Sequence, residues 1–228
     1  VTAGHRRKKL VVAHVRTQND ARDAITAGVD GLVHIFADSP PAPDVVAMAA
    51  RRGVFVIATL TVIESATNTP DTSNLPNTPW WRNTPHVMSR ITPSMQRSLE
   101  MKMPAALGAG LSLAHAQAVV AAFHRAGVPI LAGTDAPAPG VAHGVSMHRE
   151  LELLVLSGLT PPQALAAATS VNARAFGLND RGRIAIGLRA DLLLVNGDPT
   201  TDIRATRDIV GIWKLGKRCA CAAASVLP

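Results

Sequence analysis

Three times along the chain, a short apolar run rich in strand-forming residues stops at a side chain able to bind metal or move a proton. "LVVAH" ends at His14, "GLVH" at His34, and "PILAGTD" at Asp135. The first two runs are each followed by a helical stretch. Residues 19–27 form one, with Asn19 or Asp20 as N-cap and Gly28 as its stop; residues 44–52 form the other, closed by Gly53. "VFVIATL", residues 54–60, supplies a further strand. Strands that are apolar throughout need cover on both faces, and strand–helix alternation at this spacing predicts a parallel α/β sheet. In such sheets ligands gather at the carboxyl ends of the strands.

That rule brings His14, His34 and Asp135 to one end of the sheet. Any one of them alone reads as a hydrogen-bonded core or rim residue, and Asp135 alone reads equally as a helix N-cap. Three at equivalent strand ends point to a catalytic zinc site: two imidazoles and a carboxylate, with a fourth position left to water. Zinc lowers the pKa of such a water to about 7, which makes a nucleophile available at neutral pH.

Residues 61–93 interrupt the rhythm. "ESATNTPDTSNLPNTPWWRNTPH" is rich in Pro, Asn and Thr and too long for an ordinary connection, which predicts a lid over a site. Trp80 and Trp81 would either cover a substrate or pin the loop to the surface, with pinning the favoured reading. Residues 94–103 and 111–125 are predicted helices. So are "SMHRELELLVLSG", with Leu151, Leu154 and Val155 on one face, and "TPPQALAAATSVNARAFG", with Thr160 as N-cap and prolines in its first turn. From Gly182 onward, short β-type runs bounded by Gly, Asp and Pro predict a small β appendage. The expected division is therefore 1–176, 177–218 and a tail at 219–228.

Composition narrows the function classes. The 228 residues are 47% apolar and 17% charged, as in a globular chain. The formal charge of +7 is concentrated only at "HRRKK", residues 5–9, without interleaved aromatic residues, so no nucleic-acid partner is expected. Cys219 and Cys221 form a CxC with no other cysteine to complete a zinc knuckle or disulfide framework, and read as part of a mobile tail. No stretch reads as a signal peptide or a membrane span. The expectation is a soluble protein of a reducing compartment, the cytoplasm, acting on a small molecule.

Longer motifs carry a resemblance. "VVAHV…AITAGVDGLVHIFAD", "ILAGTDAP", "HGVSMHRELELLVLSGLTPPQALAAATSVNARAFGL" and "DRGRIAIGLRADLLLVNGDP" together resemble the C-terminal portion of the metal-dependent amidohydrolase superfamily, in its imidazolonepropionase-like branch. The likeness runs from Leu10 to about Gly216. It implies a (β/α)₈ TIM-type barrel, here strands five to eight, with a C-terminal β-sandwich appendage. It further implies hydrolysis of C–N bonds, amide or cyclic amide, by a metal-activated water. His14 and His34 match the metal-binding histidines after strands five and six. Asp135 matches the aspartate after strand eight, which binds metal and shuttles the proton from water to leaving group. His143 falls near the site mouth, where substrate contact, helix capping and a surface role all stay open.

The pattern also departs from the family. Its first ligands, a His-x-His pair after strand one, have no counterpart: the histidines are 5, 14, 34, 86, 115, 124, 143 and 148, and no two are two apart. The bridging lysine after strand four is missing too, since Lys8 and Lys9 precede the first strand. A start at Val1, not Met, fits a fragment and equally an open reading frame called from an unusual start. The alternatives to a hydrolase are a catalytically incompetent remnant that lacks those ligands, or a deaminase of the same superfamily. A partner is expected to be a missing N-terminal half or a second copy.

Overall fold

The computed structural model describes residues 1–69 and 79–219. Residues 70–78, the centre of the expected lid, and residues 220–228, with Cys221 and nearly all of the expected tail, lie outside the described residues.

After a short helix α1 (Thr2–Arg6) come β1 (Val12–His14), α2 (Gln18–Ala27), β2 (Gly31–Val33), α3 (Pro43–Arg52), β3 (Phe55–Ile57) and α4 (Leu60–Thr67). Helices α5 (Pro85–Met88), α6 (Pro93–Glu100), α7 (Ala105–Gly108) and α8 (Leu113–Arg125) lead to β4 (Ile130–Leu131). Then follow α9 (Val145–Leu156), α10 (Pro161–Ala168), α11 (Ser170–Ala175) and β5 (Leu192–Val195). A 3₁₀ turn (Ile203–Arg207), β6 (Ile209–Lys214) and β7 (Lys217–Arg218) complete the described chain.

Strands β1, β2, β3 and β4 lie side by side in that order, all parallel, with His14 opposite Val33 and Ile57 opposite Leu131. The α/β class with a parallel sheet is thus the one expected from the alternating pattern. All four carboxyl ends therefore face the same way. Helices α2, α3 and α8 bury Ala21, Ile25, Val45, Ala49, Val119, Val120 and Phe123 together with Leu32 and Val56 of the sheet. Phe36 packs edge-on to Phe123 at 6.1 Å between centroids. Burial of side chains of this size stabilises by roughly 1.5–3 kcal/mol each, so this helix-covered face anchors the sheet. The outer strand β1 keeps Val12 exposed, with Leu10 just before it.

Several boundaries differ from the sequence reading. Helix α2 is capped by Thr17, not Asn19 or Asp20: its hydroxyl accepts from the Asp20 amide while the Asp20 carboxylate accepts from the Thr17 amide, a reciprocal capping box. The run at 54–60 is strand only over Phe55–Ile57, because the chain turns left-handed at Thr59 and starts α4. Residues 61–93 are accordingly not one long loop. The helix expected across "TPPQALAAATSVNARAFG" breaks at Thr169 (φ −129°, ψ −91°) into α10 and α11. Beyond Gly182, β5, β6 and β7 form one antiparallel sheet, while Ile184 and Ile186 sit outside it, fully exposed.

Trp80 and Trp81 are both buried and pack with Val87, Val145, Ile91, Met95 and Leu99. The Arg207 guanidinium lies 4.8 Å from the Trp80 ring centroid. They pin their segment to the body of the protein. No helix among the described residues is long and apolar enough to cross a membrane.

Candidate metal centre

His14 is the last residue of β1, His34 follows β2 directly, and Asp135 comes four residues after β4. Parallel pairing therefore delivers all three to the same end of the sheet. The His14 and His34 rings meet edge to face, 4.7 Å between centroids at 86°. His34 Nε2 stands 3.9 Å from Asp135 Oδ2, too far for a direct hydrogen bond. Two ligands on one tetrahedral ion with bonds of about 2.1 Å would lie roughly 3.4 Å apart, so the gap is close to that of a shared ion.

The chain reaches this geometry through two left-handed residues. Asp135 has φ +57°, a conformation that a short polar side chain tolerates. Thr59 has φ +48°, an outlier for a β-branched residue, and its buried hydroxyl hydrogen-bonds His34 Nδ1 at 2.6 Å. Gly133 lets the chain cross β3 closely, since a Cβ there would meet Ile57 Cγ2 at 2.5 Å.

The electrostatics favour His34 in its metal-binding form. The His34 side chain is 13% exposed and that of Asp135 52%. Burial, opposed by the Asp135 carboxylate and reinforced by His14, holds the His34 imidazole below its ordinary pKa. It is therefore neutral at physiological pH, as a metal ligand must be. All three side chains line a cavity of about 390 Å³. Its walls are mainly apolar, with Val62, Ile63, Met103 and Leu107, and among the described residues Arg16 is their one basic side chain besides the two imidazoles. Among the described residues, no three His, Cys, Asp or Glu side chains are already closed around a single point as a metal shell. The donor set still suits a divalent ion in kind: two imidazoles and a carboxylate share one wall, and His14 and Asp135 are the exposed members.

His143 is not brought to this wall. It is exposed in the turn before α9, and its carbonyl accepts from the Val145 amide. Sequence reasoning passed over Thr59 and gave no site role to Glu150, the partner of its turn. Fully buried on α9, Glu150 accepts from the Leu60 amide (3.0 Å), the Thr61 amide (2.9 Å) and Thr61 Oγ1 (3.1 Å). Burial pushes its carboxyl up to about 7, against the pull of those donors. Beside it, Arg149 bridges Glu64 and Glu152, each at 2.6 Å, and Arg207 reaches Glu152 at 2.6 Å. This buried network ties α4, α9 and the 3₁₀ turn together. Removing one partner of such a network costs several kcal/mol, because the remaining charge is left buried.

Comparison with known proteins now decides the family, for residues 1–219 match the Amidohydrolase family. The chain belongs to that family. Within it, the sequence is similar to imidazolonepropionases. It is 40% identical to that of Deinococcus deserti over 97 residues, 41% of this chain and 24% of the relative. With that of Cereibacter sphaeroides it shares 38% over 113 residues, 48% of this chain and 26% of the relative. Among solved amidohydrolase-like folds, it overlays a Xaa-Pro dipeptidase with bound methionine at TM-score 0.71 and 20% identity, over 96% of this chain and 46% of that one. A putative prolidase from Bifidobacterium longum overlays at TM-score 0.69 and 24% identity, covering 95% and 48%. Likeness at that identity speaks for the fold alone. The chain spans just under half the length of these solved proteins, and its matched stretch about a quarter of the curated relatives.

Proposed function

We propose that this chain is the strand-five-to-eight half of a metal-dependent amidohydrolase that cleaves C–N bonds of small molecules. His14, His34 and Asp135 would hold a divalent ion, with zinc the best match to two imidazoles and a carboxylate. The observation that carries this reading is that side chains from the ends of β1, β2 and β4 share one cavity wall, with His34 Nε2 and Asp135 Oδ2 at 3.9 Å.

A zinc ion bound there would polarise the scissile carbonyl and lower the pKa of water to about 7. The protein's own part is positioning and proton transfer. His34, neutral and held through Nδ1 by Thr59, keeps Nε2 turned toward Asp135. Asp135 takes a proton from the attacking water and returns it to the leaving nitrogen, so base and acid are one residue. The apolar walls select a substrate with an apolar body. Arg16, steadied by donating to the Ala109 carbonyl at 2.9 Å, suits an acidic substituent at the rim.

The barrel itself would be completed by four further strands, from an N-terminal half or a second copy, along the edge where Leu10 and Val12 are exposed. A second reading is a metal-binding remnant without catalysis, supported by the lack, among the described residues, of three ligands already closed around one point. Assay of the zinc-loaded chain against N-acyl amino acids, dipeptides and cyclic amides separates them. Turnover by the zinc-loaded wild type that falls to background in Asp135→Asn supports the hydrolase; zinc binding by the wild type without turnover on any of these substrates supports the remnant.

A further inference from the structure

We propose that Glu150 is a positioning residue for His34, acting through the Thr59–Leu60 turn; this rests on the reading of His34 as a metal ligand. Among the described residues, seven helices have a Ser or Thr at the N-cap, and four of them cap themselves. Thr17, Thr92, Ser112 and Thr160 are all extended at the N-cap, and each side chain accepts an amide from its own first turn. Thr59, at the start of α4, makes no such bond, like Thr84 and Thr169, and is the one of the seven in the left-handed region. Its left-handed backbone (φ +48°, ψ +45°) turns the hydroxyl away from the helix, and that hydroxyl meets His34 Nδ1 instead.

The first-turn amides that Thr59 leaves open would be unsatisfied in a buried turn. Glu150, reaching in from α9, accepts two of them, one at each carboxylate oxygen, and takes the Thr61 hydroxyl as well. It is fully buried, and all three of these donors belong to that turn. Capping has thus been transferred from a local hydroxyl to a carboxylate on another helix, and the local hydroxyl has been released to hold an imidazole. With Thr59 Oγ1 accepting from Nδ1–H, Nε2 keeps its lone pair toward Asp135, as a metal-ligating imidazole requires. A residue that only stabilised α4 would not need Thr59 to adopt a strained conformation.

The test is long-range ¹H–¹⁵N spectroscopy of the His34 ring in the metal-free chain, assigned with His34→Gln, alongside zinc titration. The wild type is expected to show His34 as the Nδ1-protonated tautomer. Glu150→Gln places an NH₂ against one helix amide; it is expected to give mixed tautomers and at least about tenfold weaker zinc binding, with unfolding still cooperative. A folded Glu150→Gln with the His34 tautomer unchanged overturns the proposal and leaves Glu150 as a cap. Should Glu150→Gln not fold, Thr59→Val and Thr59→Ser decide. Mixed tautomers in the first and rescue in the second support the relay; a wild-type spectrum in Thr59→Val overturns it. A wild type that binds no zinc contradicts the metal reading alone, because the imidazole spectrum is taken without metal.

Discussion

His148 and Glu150 sit two positions apart on α9 and respond to pH in opposite senses. The His148 ring is bonded to Thr206 Oγ1 at 3.1 Å, and burial with the nearby Arg207 charge pushes its pKa down to about 4. The fold holds the neutral ring, so its contribution is full above about pH 6.5 and is lost as pH falls toward 4, up to roughly 3 kcal/mol. Glu150, raised to about 7, is held more easily protonated, so ionising it between about pH 4.5 and 7 lowers stability as pH rises. Substituting His148→Gln keeps a hydrogen-bonding group and removes the first effect. Urea unfolding at pH 7.5 and 5 is expected to show a smaller acid loss in the variant than in the wild type; equal losses would contradict the assignment. That His14, His34 and Asp135 come to one cavity was legible because strand ends can be read from local runs. Thr59 and Glu150 were not, since the bond that matters joins positions 90 apart. The one local hint was a cluster of charge, Arg149, Glu150 and Glu152, inside a leucine-rich helix that cannot turn all of them to water.

Helices whose start signals are local were placed well, and α4 shows why others fail. Residues 18–27 carry their own capping box, and α10 begins at Thr160 with prolines behind it. Helix α4 has no acidic residue in its first turn, its N-cap Thr59 makes no cap bond, and its β-branched opening continues an apolar strand, so it reads as strand running into loop. Its cap comes from α9. This difference makes a paired prediction. Thr17→Ala is expected to destabilise by about 1 kcal/mol, the usual worth of a lost N-cap, as a lower denaturant midpoint with an unchanged slope. Zinc affinity is expected to stay at the wild-type level in that variant, since Thr17 touches none of the proposed ligands. A midpoint unchanged from wild type would show that the capping box adds nothing.

For the molecule as a whole, alternating strands and helices fixed the parallel α/β class from sequence, because each unit is built from neighbouring residues. The extent of the sheet was not legible in the same way. Sheet closure depends on strands from elsewhere, and β1 ends the described sheet with apolar side chains exposed. Exposed, extended edges invite pairing with another chain. If a second copy completes the barrel, light scattering after size exclusion will give a dimer, weakened by Val12→Lys; a monodisperse monomer rules that partner out and leaves an N-terminal half. The account as a whole stands on His14, His34 and Asp135 sharing one ion. Its most direct test is the zinc content per chain, by elemental mass spectrometry, of the wild type and of His14→Ala, His34→Ala and Asp135→Ala. The account predicts one zinc per wild-type chain and its loss in each variant; a wild type without zinc, or variants that keep it, would contradict it.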